Sequence, residues 1–176
     1  YTVWPEGQRE VYAPVAYVEP FDVRNRQVFG YDMLSDLDHH RPGEPVPGQR
    51  LYAMESARDS GSITLSGKVR LLFETREDMQ NGTVMFLPIY KRGAAIHNVD
   101  ARRANLVGWV AAVFRMGDLM TGILDTRDAE FDINIFDGEL SSEPMLLYAS
   151  QYHGLARDTE ARFQDSKLVE FADRKW

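Results

Sequence analysis

The chain has 176 residues and a mass of 20.1 kDa, room for one domain or two small lobes that bury roughly 68–70% of the unfolded surface without a staple. Lys and Arg number 20 against 27 Asp and Glu, and the net charge of −7 argues against a nucleic-acid partner, whose phosphates most of this surface would repel. The absence of cysteine excludes zinc ribbons, iron–sulfur clusters, thiol catalysis and disulfide scaffolds together, and it leaves the compartment open.

Hydrophobic residues make up 44% and charged residues 27%, the composition of a globular chain rather than a disordered one. The longest nearly apolar run, Leu106 to Phe114, falls well short of the ~20 residues that a membrane helix needs. No signal peptide is visible, and a chain opening on Tyr1 reads as a piece of a longer protein.

In chain order, Tyr12 to Pro20 is aromatic, β-branched and punctuated by prolines, which predicts an edge strand. A polar turn through Asp22 and Asn25 leads to a second extended piece, Val28 to Leu34. His39 to Gln49 is rich in proline and glycine and reads as a loop. Leu51, Met54, Ala57 and Arg58 then fall at helical spacing, with Gly61 as the stop, so a helix is expected over Gln49 to Asp59. Ile63 to Leu71 alternates apolar with polar residues, as in a half-buried strand. Asn81-Gly82 reads as a turn, and residues 91–105 as a polar loop.

Thr83 to Tyr90 and Leu106 to Phe114 are apolar enough to be deeply buried strands. Met116 to Leu124 predicts a short amphipathic helix. Two further strands, Phe131 to Phe136 and Met145 to Ser150, flank the turn Asp137-Gly138, and the last twenty-five residues are charged and amphipathic. Strands in meander order with inserted helices define an α+β class with an antiparallel sheet.

Chemistry-bearing residues are few. Asp36-Leu37-Asp38-His39-His40 has metal-ligand types, but neighbours in sequence rarely converge on one ion, and a solvated loop is the simpler reading, with no metal expected. Gly61 to Lys68 lacks the spacing of a phosphate loop. No nucleophile elbow, zinc-protease motif or cysteine nucleophile occurs, and His39, His40, His97 and His153 all fall in predicted loops or near turns. The chain itself is therefore read as non-enzymatic, with no catalytic residues and no cofactor. Phe86, Pro88, Tyr90, Trp109 and Ala111 share one parity on their strands and suit either a pocket wall or an ordinary sheet core. Asp32, after Gly30-Tyr31, either accepts N–H bonds from a ligand or caps nearby backbone N–H groups.

An ordered set of motifs resembles the CHASE domain, the extracytoplasmic sensor module of histidine kinases, nucleotide cyclases and cyclic-di-GMP (GGDEF/EAL) enzymes. The set comprises Tyr17-Val18-Glu19-Pro20, Asn25, Gly30-Tyr31-Asp32, Ala53, Ala57-Arg58-Asp59-Ser60-Gly61, Ser66-Gly67, Leu71-Leu72, Phe86-Leu87-Pro88-Ile89-Tyr90-Lys91 and Gly108-Trp109-Val110. The resemblance implies two PAS-like lobes of antiparallel sheet and flanking helices. Residues 1–116 would be the membrane-distal ligand-binding lobe and 117–176 the membrane-proximal one. It also implies flanking membrane helices outside this chain, a homodimer in the full-length protein, and a periplasmic position for this domain of an inner-membrane protein. A small molecule of unknown identity is the implied ligand. In the plant cytokinin receptors of the family, groups matching Asp32, the Leu65 backbone and the Thr75 hydroxyl contact the ligand. With Tyr31, Ser60, Phe86, Tyr90, Trp109 and Ala111, these are the candidate ligand-binding residues. The alternative is an interaction module that senses a periplasmic protein, with no small-molecule pocket.

Overall fold

The computed structural model describes residues 2–35, 48–71, 79–124, 132–139, 141–150 and 164–176. It is a mixed α/β chain of three α-helices and small antiparallel sheets among these residues. Helix α1 (Gln49–Ser60) starts after Gly48 and ends at Gly61, a left-handed residue with φ 76° whose N–H bonds to the Ala57 carbonyl at 2.9 Å. That is the glycine stop expected from the sequence.

Strands β1 (Thr64–Leu65), β2 (Val69–Arg70), β3 (Asn81–Tyr90) and β4 (Leu106–Arg115) form one four-stranded sheet in which β3 pairs with all the others. The β3–β4 ladder sets Phe86 opposite Ala111 and Pro88 opposite Trp109. Val84 and Phe86 meet Ala53, Met54 and Ala57 of α1, together with Val69 and Leu71, in the main core. Burial of side chains the size of Phe86 and Met54 contributes about 1.5–3 kcal/mol each. Ala13, Met33, Leu34 and Trp109 pack at the margin of this cluster.

Helix α3 (Met116–Ile123) follows β4 directly and contacts the two-stranded sheet of β5 (Asn134–Phe136) and β6 (Leu146–Ala149). A terminal hairpin, β7 (Glu170–Phe171) and β8 (Arg174–Lys175), is tied back to the first sheet. The Leu65 N–H donates to Asp173 Oδ1 at 2.8 Å. Buried Asp137 accepts from the Lys68 N–H at 2.7 Å and from Arg174 Nη2 at 2.6 Å.

Several sequence expectations change. Tyr12 to Pro20 is no regular strand: Pro14 and Pro20 have no N–H to donate, and the segment meets residues 30–33 through a single bridge, Pro14 with Asp32, and scattered hydrogen bonds. Val28 to Leu34 is a 3₁₀ turn (Asn25–Val28) followed by isolated bridges at Tyr31 and Asp32. The Ile63 to Leu71 strand breaks in two, because the Ser66 hydroxyl accepts the Val84 N–H and Asp137 takes the Lys68 N–H, both competing with the ladder.

Asn81-Gly82 lies inside β3 rather than in a turn, since Leu71 packs where a Gly82 side chain would stand. Residues 91–105 contain helix α2 (Val99–Asn105), capped by Asn98 Oδ1 accepting the Ala101 N–H at 2.8 Å. Strand β4 is not deeply buried: it pairs only with β3 among the described residues, and Val107, Val110 and Val113 are exposed. Thr75 and the Asp36–His40 cluster lie outside the described residues, as does most of the expected loop before α1.

Candidate functional site

Gly30 turns the chain at φ +81°, and a side chain there would overlap the Thr2 carbonyl oxygen. Only glycine makes this turn without strain, and the turn delivers Tyr31 and Asp32 into the interior, both with no exposed surface. Tyr31 packs against Trp4 with ring centroids 4.6 Å apart and the rings tilted by 59°, and its hydroxyl accepts a hydrogen bond from Ser35 Oγ at 3.0 Å. The N-terminal segment lies along this turn: the Trp4 N–H bonds to the Gly30 carbonyl, and the Asp32 N–H bonds back to the Trp4 carbonyl at 2.7 Å.

The two oxygens of Asp32 have different surroundings. Oδ1 accepts the Ala13 N–H at 2.8 Å and the Leu34 N–H at 3.1 Å, a backbone-capping role. Oδ2 is buried and makes no hydrogen bond among the described residues. Its neighbour is Arg9, whose Nη1 lies 3.3 Å away, close enough for ion pairing but not aligned as a hydrogen bond. The same Nη1 donates to the Pro5 carbonyl at 3.3 Å, and the guanidinium carbon stands 5.7 Å from the centre of the Tyr12 ring. An open cleft of about 340 Å³ adjoins this group, lined by Val3, Pro5, Glu6, Gly7 and Tyr12.

The other candidates are distributed over the first sheet and α1. Phe86, Trp109 and Ala111 do share one sheet face. Phe86 is buried, Trp109 is half-buried with Nε1 donating to the Met54 carbonyl at 2.9 Å, and Ala111 is exposed on β4. Pro88 is buried between them. Tyr90 donates its hydroxyl to the Arg58 carbonyl at 2.6 Å. Ser60 caps the end of α1, donating to the Ala57 carbonyl and accepting the Ser62 N–H at 3.2 Å. Leu65 is buried on β1, its N–H taken by Asp173. The polar contacts of Asp32 thus come from residues 4–35, whereas those of Trp109, Tyr90 and Ser60 go to α1 and the residues just after it.

Two polar clusters escaped the sequence reading. Asp59 is clamped by Arg58 Nε at 2.7 Å and by Arg103 through Nε at 2.9 Å and Nη2 at 2.5 Å, which holds its carboxyl well below the usual carboxylate range. Hydrogen bonds from Arg103, then from Arg58, are the main causes. Arg102 donates to the Asp59 carbonyl at 2.7 Å, so both arginines of α2 fasten it to the end of α1. Arg9 was the second omission. A lone arginine in a polar N-terminal stretch carries no periodic signal, and its partner lies 23 positions away in sequence.

The sequence model of the CHASE domain matches residues 1–148, and the chain belongs to that family. CHASE domains are extracellular sensory modules without catalytic activity of their own. No curated protein matches the chain. Among the described residues no helix is long and apolar enough to cross a membrane.

Proposed function

We propose that this chain is the signal-receiving part of a membrane-anchored signalling protein. It takes up a small molecule on the outer face of the membrane and biases a cytoplasmic histidine kinase or cyclic-di-GMP enzyme. In this reading residues 1–116 are a PAS-like membrane-distal lobe, and residues 117–176 supply the membrane-proximal one. The observation that supports it best is the Asp32 carboxylate. One oxygen is committed to the backbone, while the other is buried without a hydrogen bond, a costly arrangement in a structural turn and a useful one in a recognition site. A ligand transmits a signal only by binding two arrangements with different affinity, each tenfold preference shifting the balance by about 1.4 kcal/mol.

The test is mass spectrometry of the purified chain under native and then denaturing conditions, with Asp32→Asn alongside. A retained small molecule that is lost in the variant supports the reading. A compound retained equally by both removes Asp32 from the site.

A second reading, a sensor of a protein partner, draws support from the far face of the sheet. Leu87 and Ile89 of β3 and Val110 of β4 are 39–57% exposed there. Apolar side chains gathered on one face are what a protein surface would cover.

A further inference from the structure

Resting on the proposed small-molecule site, the geometry around Asp32 points to the class of its ligand. We infer that Arg9 is a built-in ligand mimic, and that the signal is a small planar cation bearing N–H donors, a guanidinium or amidinium, which displaces it. The guanidinium of Arg9 sits in a cage of cation-binding chemistry: buried Asp32 Oδ2 at 3.3 Å, the Pro5 carbonyl at 3.3 Å, the Gly7 carbonyl at 3.5 Å and the face of Tyr12 at 5.7 Å. A carboxylate, carbonyl oxygens and an aromatic face all favour a cation, and a planar one offers donors to the oxygens while stacking on the ring. Glu6 at the cleft adds negative charge.

The cage is filled imperfectly. Oδ2 faces Arg9 without gaining a hydrogen bond, so a free cation with unconstrained geometry would improve on the tethered one. The tether is also light. Among the described residues, the hydrogen bonds of residues 5–12 stay within that segment, and the Arg9–Asp32 ion pair is its polar tie to the body. The adjoining cleft of about 340 Å³ provides the room into which a ligand's remainder would extend. Swinging out the Arg9 side chain leaves the Pro5 and Gly7 carbonyls and the Tyr12 ring in place and breaks none of the sheet ladders, so exchange of Arg9 for a ligand is a local event.

Methylguanidinium chloride is the probe, titrated against the wild-type chain, Arg9→Ala and Arg9→Ala/Asp32→Asn, with the amide signals of Ala13 and Leu34 followed by NMR. Removing a competitor seated nine-tenths of the time raises apparent affinity about tenfold, so Arg9→Ala should bind at least that much more tightly than wild type. The double variant should lose the gain. Methylguanidinium should also raise the melting temperature of Arg9→Ala, opposite in sign to the general denaturing action of guanidinium salts.

Arg9→Met keeps the aliphatic stem over Tyr12 and serves the same purpose if Arg9→Ala does not fold. No gain in affinity in either variant, or a gain that persists with Asp32→Asn, overturns the inference. A neutral compound retained by the wild type, with no methylguanidinium binding anywhere, overturns the cation class and leaves the sensory site standing. The absence of both a retained compound and methylguanidinium binding takes the two down together.

Discussion

Replacing Asp32 by alanine should destabilise the chain strongly, whatever it does to a ligand. The carboxylate is wholly buried, and its Oδ1 holds two backbone N–H groups, those of Ala13 at 2.8 Å and Leu34 at 3.1 Å. A stranded buried donor costs about 1–3 kcal/mol, and water entering the vacated space recovers part of that. A net loss of about 2–4 kcal/mol is therefore expected for Asp32→Ala, with Arg9 losing its partner as well. For a chain of this size each kcal/mol lowers the melting point by about 2–4 °C, which gives a fall of roughly 4–16 °C. Asp32→Asn retains an acceptor oxygen for both N–H groups and should lose under half as much. Calorimetry of the three proteins side by side reads this directly. Equal losses for alanine and asparagine would show that the charge at Oδ2, not the capping at Oδ1, anchors the turn. A negligible loss for alanine would show that the turn does not depend on Asp32 at all.

The Asp59 clamp carries a pH signature. A carboxylate held below its ordinary value of 3.8 adds stability that is complete above that value and is lost as the pH falls toward the folded-state value. Asp59→Asn should therefore lower the melting temperature at pH 7, and the difference from wild type should shrink below pH 3.8; a difference that stays constant into acid would refute the assignment. Among the described residues Arg174→Ala leaves buried Asp137 with the Lys68 N–H alone, at an expected cost of about 2–4 kcal/mol, and should speed hydrogen exchange at the Leu65 and Lys68 amides. Trp109→Phe removes the hydrogen bond to the Met54 carbonyl and should cost about 1 kcal/mol in urea unfolding, with the helix and sheet signals of circular dichroism unchanged.

The regular elements were legible where one local signal decided them. Helix α1 was readable from Met54, Ala57 and the glycine that stops it. Strands β3 and β4 announced themselves as apolar runs, and the shared parity of Phe86, Pro88, Trp109 and Ala111 matches the one sheet face on which the ladder sets them, though parity alone does not give the register. What failed depended on side chains reaching across the chain. Ser66 and Asp137 divide an alternating stretch into β1 and β2, and neither can be recognised as a ladder-breaker until its partner is in place. Helix α2 was missed because its residues are polar and its anchor, Asp59, lies on another element. The exposure of β4 shows that an apolar run establishes a strand's identity but not its depth.

The site was half visible. Gly30-Tyr31-Asp32 stands out as a motif, and the capping reading of Asp32 has its counterpart in the two N–H groups held by Oδ1, while Oδ2 is buried beside Arg9 without a hydrogen bond. The sequence could not tell the two oxygens apart, nor bring Arg9, with the Tyr12 ring beside its guanidinium, to this carboxylate. The placement of Phe86 and Trp109 in a filled core, with Ala111 on an exposed strand, makes the apolar wall first a matter of packing.

Trp4 offers the most direct measurement of where a signal is received, because its ring packs against Tyr31 and its carbonyl holds the Asp32 N–H. With Trp109 and Trp176 replaced by phenylalanine, Trp4 is the one remaining tryptophan, and its emission reports on this turn alone. A compound retained by the purified protein should shift that emission saturably, with no shift when Asp32→Asn is added. Saturable binding that leaves Trp4 emission unchanged, while altering a variant that keeps only Trp109 or only Trp176, would place the signal elsewhere in the chain.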